Sequence, residues 1–455
     1  MRLFGTDGIR GKAHHPPLDP ATLARLGRAL AAELPAGARV LLGHDGRESA
    51  PGIERALAAG LAAGGAGCAN AGQLTTPALA HSTRLGHWAC GVMISASHNP
   101  ASDNGIKLFG TDGRKLGDAV EVRLEHGVDG LAAPGVSDDV RVEELADGCA
   151  GYRAFVAEAF AGLDLSGLRV LVDAANGGGS HLVPDVLRGF GAEVVTRFDR
   201  PDGRNINVGC GALHPETIAP EVVREGCDLG LCLDGDGDRA IFVDELGRVV
   251  HGDALLAVLA LELDGRGRLP ARRMAATVMS NLGLSRLLAA EGIGVVETPV
   301  GDRSVVAAME AAGLELGGEN SGHVIFGRAT PSPATGCGPA SSPPAGPGPA
   351  AVGRGRPLPR LPAAPAQRPL RAREARPGPD PGRPGRPARD RGAARGRGPR
   401  RAALLRDRGP VPGHARGPRG GPRPRAVRAP GRARARGRRR MRREGGAAGR
   451  DRRAR

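Results

Sequence analysis

Between Val40 and Gly318 the chain repeats one pattern: a short apolar run, a glycine-rich turn, a stretch of helical period, then a second apolar run. That alternation is the signature of stacked βα units. One copy runs from Val40-Leu41-Leu42 through the Gly43–Glu48 turn into Ile53–Leu61, and a second from Val170-Leu171-Val172 through Asn176–Gly179 into Leu182–Leu187 and Val194-Val195. A third runs from Ala275–Met279 through Asn281-Leu282-Gly283 into Leu284–Ala290 and Val295-Val296. A repeat of about a hundred residues or more predicts tandem α/β domains rather than a solenoid, whose units are shorter. The expected boundaries give one domain over 1–148, a second over 149–252 and a third, incomplete, over 253–330.

The pattern stops at Thr330, and the charge balance changes with it. Residues 331–455 hold 34 Arg, no Lys and 6 acidic residues, a net of +28. The other 30 basic and 42 acidic residues give 1–330 a net of −12. The whole-chain figure of +16 therefore averages two unlike pieces, and the globular piece carries no nucleic-acid footprint. The tail contains 24 of the 38 prolines and is built almost entirely of Arg, Pro, Gly and Ala, a composition that predicts a disordered low-complexity segment. Two readings of it stand: an arginine-rich RNA-binding arm, or the product of a reading-frame slip in GC-rich DNA, since those four residues have codons made mostly of G and C.

Seven scattered cysteines (Cys68, Cys90, Cys149, Cys210, Cys227, Cys232, Cys337) form no C-x-x-C pair, which fits neither a zinc framework nor a disulfide scaffold and predicts a reducing cytoplasm. The longest apolar stretch, Leu255–Leu263, is too short to span a bilayer, so no membrane partner is expected.

Three segments carry chemistry. Leu229-Gly-Leu-Cys-Leu233 reads as a strand that ends in Asp234-Gly235-Asp236-Gly237-Asp238-Arg239. Three carboxylates at alternate positions can converge on one side of an extended turn and offer oxygen ligands to a hard divalent cation, at the strand end where open α/β sheets hold ligands. An EF-hand loop is the competing reading, because Glu245 falls at the twelfth position from Asp234. Against it, Arg239 takes the sixth position, where that loop needs glycine, and the flanks read as strands. A purely structural acidic turn would leave three carboxylates repelling one another.

Cys90-Gly-Val-Met-Ile-Ser95 runs into Ala96-Ser97-His98-Asn99-Pro100, with Lys107 just beyond. A serine in a loop after an apolar strand, beside a histidine, is a candidate nucleophile, although it lacks the G-x-S-x-G elbow and Asn-Pro alone marks a turn. The aspartate cluster gives it meaning, because a serine phosphate beside a divalent ion has its charge neutralised and its phosphoryl group made transferable. Gly317-Gly318-Glu319-Asn320-Ser321-Gly322-His323 supplies a glycine-rich loop whose Glu, Ser and His side chains suit a polyol, and His323 can move a proton. Gly301-Asp302-Arg303-Ser304 either starts a helix capped by Asp302 or aims Arg303 at a ligand.

These motifs, in this order after Gly5-Thr-Asp-Gly-Ile-Arg-Gly11, closely resemble the α-D-phosphohexomutase superfamily over about residues 2–330, and Asn320 resembles its phosphoglucosamine branch. The resemblance implies interconversion of glucosamine 6-phosphate and glucosamine 1-phosphate for UDP-N-acetylglucosamine and cell-wall precursors. It implies Ser97 as the phosphoserine, and Mg²⁺ held by Ser97, Asp234, Asp236 and Asp238. Lys107 and His323 match positions for proton transfer; Glu319, Ser321 and Arg303 would bind substrate; Arg10, His98 and Arg239 would steady the phosphoserine. Glucosamine 1,6-bisphosphate or glucose 1,6-bisphosphate is the implied activator, sugar phosphates are the implied partners, and a monomer or homodimer the implied assembly. Phosphomannomutase or phosphoglucomutase activity is the nearest alternative, and a vestigial body with an RNA-binding tail the other. The family also has a fourth domain whose Arg-x-Ser-Gly-Thr-Glu-Pro loop grips the other phosphate, and nothing after residue 330 resembles it. An impaired mutase is the consequence to expect.

Overall fold

The computed structural model describes residues 2–5, 7–136 and 140–327. The tail, with its expected disorder, and Cys337 lie outside the described residues. The described chain builds three sheets in sequence, each flanked by helices, as the βα pattern predicts.

The first sheet contains β1 (Ile9–Lys12), β2 (Arg39–His44), β3 (Gly67–Gln73), β4 (Cys90–Ile94), β5 (Asp103–Phe109) and the short β6 (Glu143–Glu144). Its helices are α1 (Pro20–Glu33), α2 (Ala50–Ala63), α3 (Thr76–Leu85) and α4 (Asp118–Gly130). Local chemistry sets the helix starts: Asp19 accepts from the Thr22 amide at 3.1 Å with Pro20 following, and Thr75 accepts from Ala78 at 3.3 Å.

A short linking helix, α5 (Ala150–Ala159), leads into β7 (Arg169–Asp173), α6 (Leu182–Gly189), β8 (Glu193–Arg197), α7 (Ala219–Arg224), β9 (Leu229–Leu233), β10 (Ala240–Asp244) and β11 (Val249–Val250). The third layer is α8 (Gly252–Gly265), β12 (Arg273–Thr277), α9 (Leu282–Ala290), β13 (Gly294–Thr298), α10 (Asp302–Ala312), β14 (Leu316–Gly318) and β15 (Val324–Phe326).

Strand order explains where the chemistry collects. The sheets run β1-β5-β4-β2-β3-β6, β11-β10-β9-β7-β8 and β13-β12-β14-β15. In each, the chain moves from one strand to a parallel neighbour on one side, then returns to pair on the other side: β2 lies between β3 and β4, β7 between β8 and β9, β12 between β13 and β14. Loops leaving the carboxyl ends of β2 and β4, β7 and β9, or β12 and β14 therefore diverge and leave a crevice, the switch point at which open α/β sheets hold ligands. The Ser97, Asp234 and Glu319 loops leave β4, β9 and β14.

The strands β9 and β10 form an antiparallel hairpin around the acidic run, so strands rather than helices flank it and the EF-hand reading falls. The six cysteines among the described residues are buried and free. No helix of the described residues is long and apolar enough to cross a membrane.

Candidate active site

The Asp-Gly-Asp-Gly-Asp turn owes its shape to its glycines. Gly237 takes a φ of +66°, open to glycine at little cost, and a Cβ on Gly235 would lie 2.5 Å from the Ser97 carbonyl oxygen. The backbone of the second domain can thus approach the serine loop directly. Carboxylate oxygens of Asp234, Asp236 and Asp238 lie within 4.8 Å of one another. Ser97 Oγ donates to Asp234 Oδ2 at 2.5 Å and lies 3.2 Å from His98 Nδ1. Ser97 is fully buried and has a left-handed backbone, φ +54°.

Lys107 is buried among the acids. Its Nζ donates to Asp236 Oδ2 at 2.7 Å and to Asp238 Oδ2 at 3.0 Å, with Asp7 Oδ2 at 3.3 Å. Burial works against its charge, but Asp236, Asp238 and Asp7 overcome that and hold the ammonium well above the usual lysine range. Burial, with Asp238 and Asp236 alongside, pushes Asp234 well above the carboxylate range despite Arg239 and the Ser97 hydroxyl. Asp238 moves the other way: burial raises it, yet Lys107, His323 and Arg239 hold it well below. His98 is lowered by burial and by the nearby Arg239 and Arg10, which keeps its ring neutral at pH 7.

This donor set suits a hard divalent cation. Asp236 Oδ1 and Asp238 Oδ1 are buried and make no hydrogen bond among the described residues, and both belong to the triad. Buried carboxylate oxygens facing one another without donors are what a Mg²⁺-like ion satisfies.

Beside the triad lies a crevice of about 780 Å³ lined by residues of all three domains. Arg10, His98, Asp238, Arg239, Glu319, Asn320, Ser321 and His323 are among the residues that line it. Arg10 is anchored to the Ala96 carbonyl at 3.1 Å and Asn99 Oδ1 at 3.2 Å. Glu319 Oε1 accepts from the Gly301 amide at 3.0 Å, while His323 Nδ1 lies 3.8 Å from Glu319 Oε2.

Arg303 is not brought to this crevice. Its guanidinium is taken up by Glu121 and by Asp118 at 3.1 Å, across the contact between the first and third domains. Nor is Asp302 the cap of α10: Gly301, at φ +116°, takes that position, and Asp302 instead accepts from Lys115 Nζ at 2.6 Å.

Several participants escape a reading by motif. Arg47, Thr76, Lys115 and Asn207 stand in turns or at a helix start and acquire partners only through folding. Thr76 Oγ1 donates to Asp236 Oδ2 at 2.6 Å, from a domain 160 residues distant. For Arg47 the one available signal is the Asp45-Gly-Arg47 turn following a strand; for Asn207 it is Asn-Ile-Asn in a loop that favours left-handed backbone.

A buried serine beside a divalent-cation triad, under a crevice lined with polyol-binding groups, defines a phosphoryl-transfer enzyme on a tandem α/β scaffold. Residues 1–133, 150–247 and 251–336 match the phosphoglucomutase/phosphomannomutase α/β/α domains I, II and III, and the chain belongs to this family of phosphohexomutase isomerases. It is similar to the phosphoglucosamine mutase of Cereibacter sphaeroides, 46% identical over 331 residues that cover 71% of this chain and 74% of that protein. The phosphoglucosamine mutase of Symbiobacterium thermophilum is 46% identical over 334 residues, covering 72% and 74%. Among solved structures, a phosphoglucomutase/phosphomannomutase family protein from Burkholderia thailandensis superimposes with a TM-score of 0.61 at 27% identity, covering 71% of this chain and 72% of that one.

Proposed function

We propose that this chain interconverts glucosamine 6-phosphate and glucosamine 1-phosphate by passing a phosphoryl group between Ser97 and the sugar. The observation that carries the reading is the Ser97 hydroxyl at 2.5 Å from Asp234, beside a crevice lined by Glu319, Ser321 and His323. Relatives named phosphoglucosamine mutase, at 46% identity, favour the amino sugar.

The residues divide the work. Transfer breaks the bond between phosphorus and Ser97 Oγ while a sugar hydroxyl oxygen bonds to phosphorus; the hydroxyl proton passes to an imidazole nitrogen, and the freed Ser97 oxygen takes up a proton to regain its hydroxyl. His323 in the crevice wall, or His98 beside Oγ, offers that nitrogen. Lys107, fixed as a cation by three carboxylates, holds the acidic loop in register and exchanges a proton only once those contacts loosen. Arg239 and Arg10 oppose phosphate charge from the crevice side, and Glu319 and Ser321 take the sugar hydroxyls. Asp234, Asp236, Asp238 and the serine phosphate would hold Mg²⁺, which would supply charge neutralisation to the transferring phosphoryl group. The resulting 1,6-bisphosphate turns over in the crevice and returns its other phosphate to Ser97. A hexose 1,6-bisphosphate, of glucose or glucosamine, primes the serine. We assign the reaction to the cytoplasm, which suits buried free thiols, and to a monomer or homodimer.

Comparing kcat/KM for glucosamine 6-phosphate, glucose 6-phosphate and mannose 6-phosphate tests the reading. Glucosamine 6-phosphate is expected to lead by about tenfold or more, the worth of one well-placed polar contact; a lead for either other sugar overturns the assignment.

A further inference from the structure

The loop that carries Ser97 adopts a conformation it does not favour by itself. A non-glycine residue at φ +54° is strained and persists where its surroundings over-determine it. Part of that support is local. The Ser97 amide donates to Ser95 Oγ at 2.8 Å, and Ser95 Oγ donates to Asp45 Oδ2 at 2.6 Å. Asp45 in turn accepts from Arg47 Nε at 2.9 Å, with both side chains fully buried.

The rest acts on carbonyl oxygens of the loop, two of them held from both domains. Arg47 Nη2 donates to Ser97 O and Asn99 O, both at 2.9 Å, and Arg47 Nη1 donates to Asp103 O at 2.9 Å and to Pro100 O. From the opposite side, Asn207 Nδ2 donates to the same two oxygens, Ser97 O at 2.9 Å and Asn99 O at 3.1 Å. Arg47 belongs to the turn after β2 in the serine's own domain. Asn207 belongs to the second domain, where its own left-handed backbone, φ +59°, is fixed by a bond from its amide to Ala175 O at 3.0 Å. A Cβ on Gly235 would come within 2.9 Å of Asn207 Nδ2, so the close approach of the acidic turn and the clamp share one space.

We infer that Asn207, acting with Arg47, is a positioning residue that sets the backbone of the Ser97 loop, so that the serine is aimed at the acidic triad only while the second domain is docked. Both bonds of its amide group cross to the serine loop, which makes the second domain supply the geometry of the nucleophile as well as the carboxylates beside it. The inference rests on the phosphoryl-transfer reading above, and its test separates the two.

The full 455-residue chain is incubated with glucose 1,6-bisphosphate and Mg²⁺, and phosphate on Ser97 is followed by peptide mass spectrometry, beside amide hydrogen exchange across residues 95–100. Asn207→Ala is expected to slow Ser97 phosphorylation roughly tenfold to a hundredfold at saturating bisphosphate, with the half-saturating concentration little changed. Exchange at the Ser97 and Asn99 amides should rise about tenfold while the melting temperature stays within a few degrees. Asn207→Asp, which keeps the shape but cannot donate, should behave at least as badly; wild-type behaviour of that variant overturns the inference. Unchanged exchange in Asn207→Ala overturns it whatever the rates. If the unaltered chain takes no phosphate at Ser97, the phosphotransfer reading fails, and faster exchange in the variant still supports the clamp.

Discussion

The first domain touches the second and the third in two different ways. Against the second it is sealed. Leu41, Leu74 and Met93 share one apolar cluster with Cys149, Tyr152 and Leu182, and buried polar bonds run from Thr76, Ser97 and Lys107 to the acidic turn. Backbones come so close that a Cβ on Gly178 would collide with the Leu74 carbonyl. Against the third domain the visible links are ion pairs: Arg114 with Glu310, Lys115 with Asp302, and Arg303 with Glu121 and Asp118. The apolar clusters of the third domain stay within it among the described residues. Groups that must hold fixed geometry lie on the sealed side. The polyol-binding loop meets the second domain by backbone, the Ala240 amide donating to Gly322 O at 3.0 Å, while the ion pairs between the first and third domains are links that water and salt can replace at smaller cost.

Removing Lys107 gives the largest expected effect. Lys107→Met leaves Asp7, Asp236 and Asp238 without their buried cation and should cost roughly 3–5 kcal/mol in denaturant unfolding without divalent ions. Millimolar Mg²⁺ should recover more of that loss in the variant than in the parent; equal recovery would place the ion elsewhere.

His81 tests the same contact by pH. Its ring stacks on Phe155 at 4.1 Å, and both ring nitrogens are buried with no hydrogen bond among the described residues. Burial, helped by Arg84, lowers its pKa from 6.5 to about 4. Because the folded value is depressed, its contribution is fully present above pH 6.5 and is lost as pH falls towards 4. Stability should drop by about 2 kcal/mol between about pH 7.5 and pH 5 from this group, and His81→Phe should flatten that part of the curve. An unaltered slope would show that the contact does not depend on a neutral ring.

The smallest effect belongs to the charged contact. Arg303→Ala should cost about 0.5–1 kcal/mol at low ionic strength and almost nothing in about 0.5 M salt, read from melting temperatures in the two buffers. A tenfold rise in KM with no change in melting would instead make Arg303 a substrate ligand, and the comparison between the two contacts would lose one of its members.

The Asp234–Arg239 turn and the Ala96–Pro100 loop were legible because each packs its chemistry into consecutive residues after an apolar run. Arg47 and Asn207 were not. An arginine in a glycine turn and an asparagine in a loop are common surface choices, and 160 positions separate them along the chain. Arg303 shows the converse: beside a helix start it suits an anion, while folding places Glu121 and Asp118 within its reach.

The alternation of apolar runs, turns and helical stretches, and the order of the motifs, determined by themselves the tandem α/β layers, the metal-type carboxylates and the candidate serine, because period and spacing are local properties that survive any arrangement of the domains. Only the tertiary structure decided that three carboxylates hold Lys107 as a buried cation, that Ser97 is held left-handed by donors from two domains, and that one contact is sealed while the other is charged. Those facts depend on which loops the strand crossovers bring to a common crevice, and on burial, which turns ordinary polar residues into strong ones by removing water.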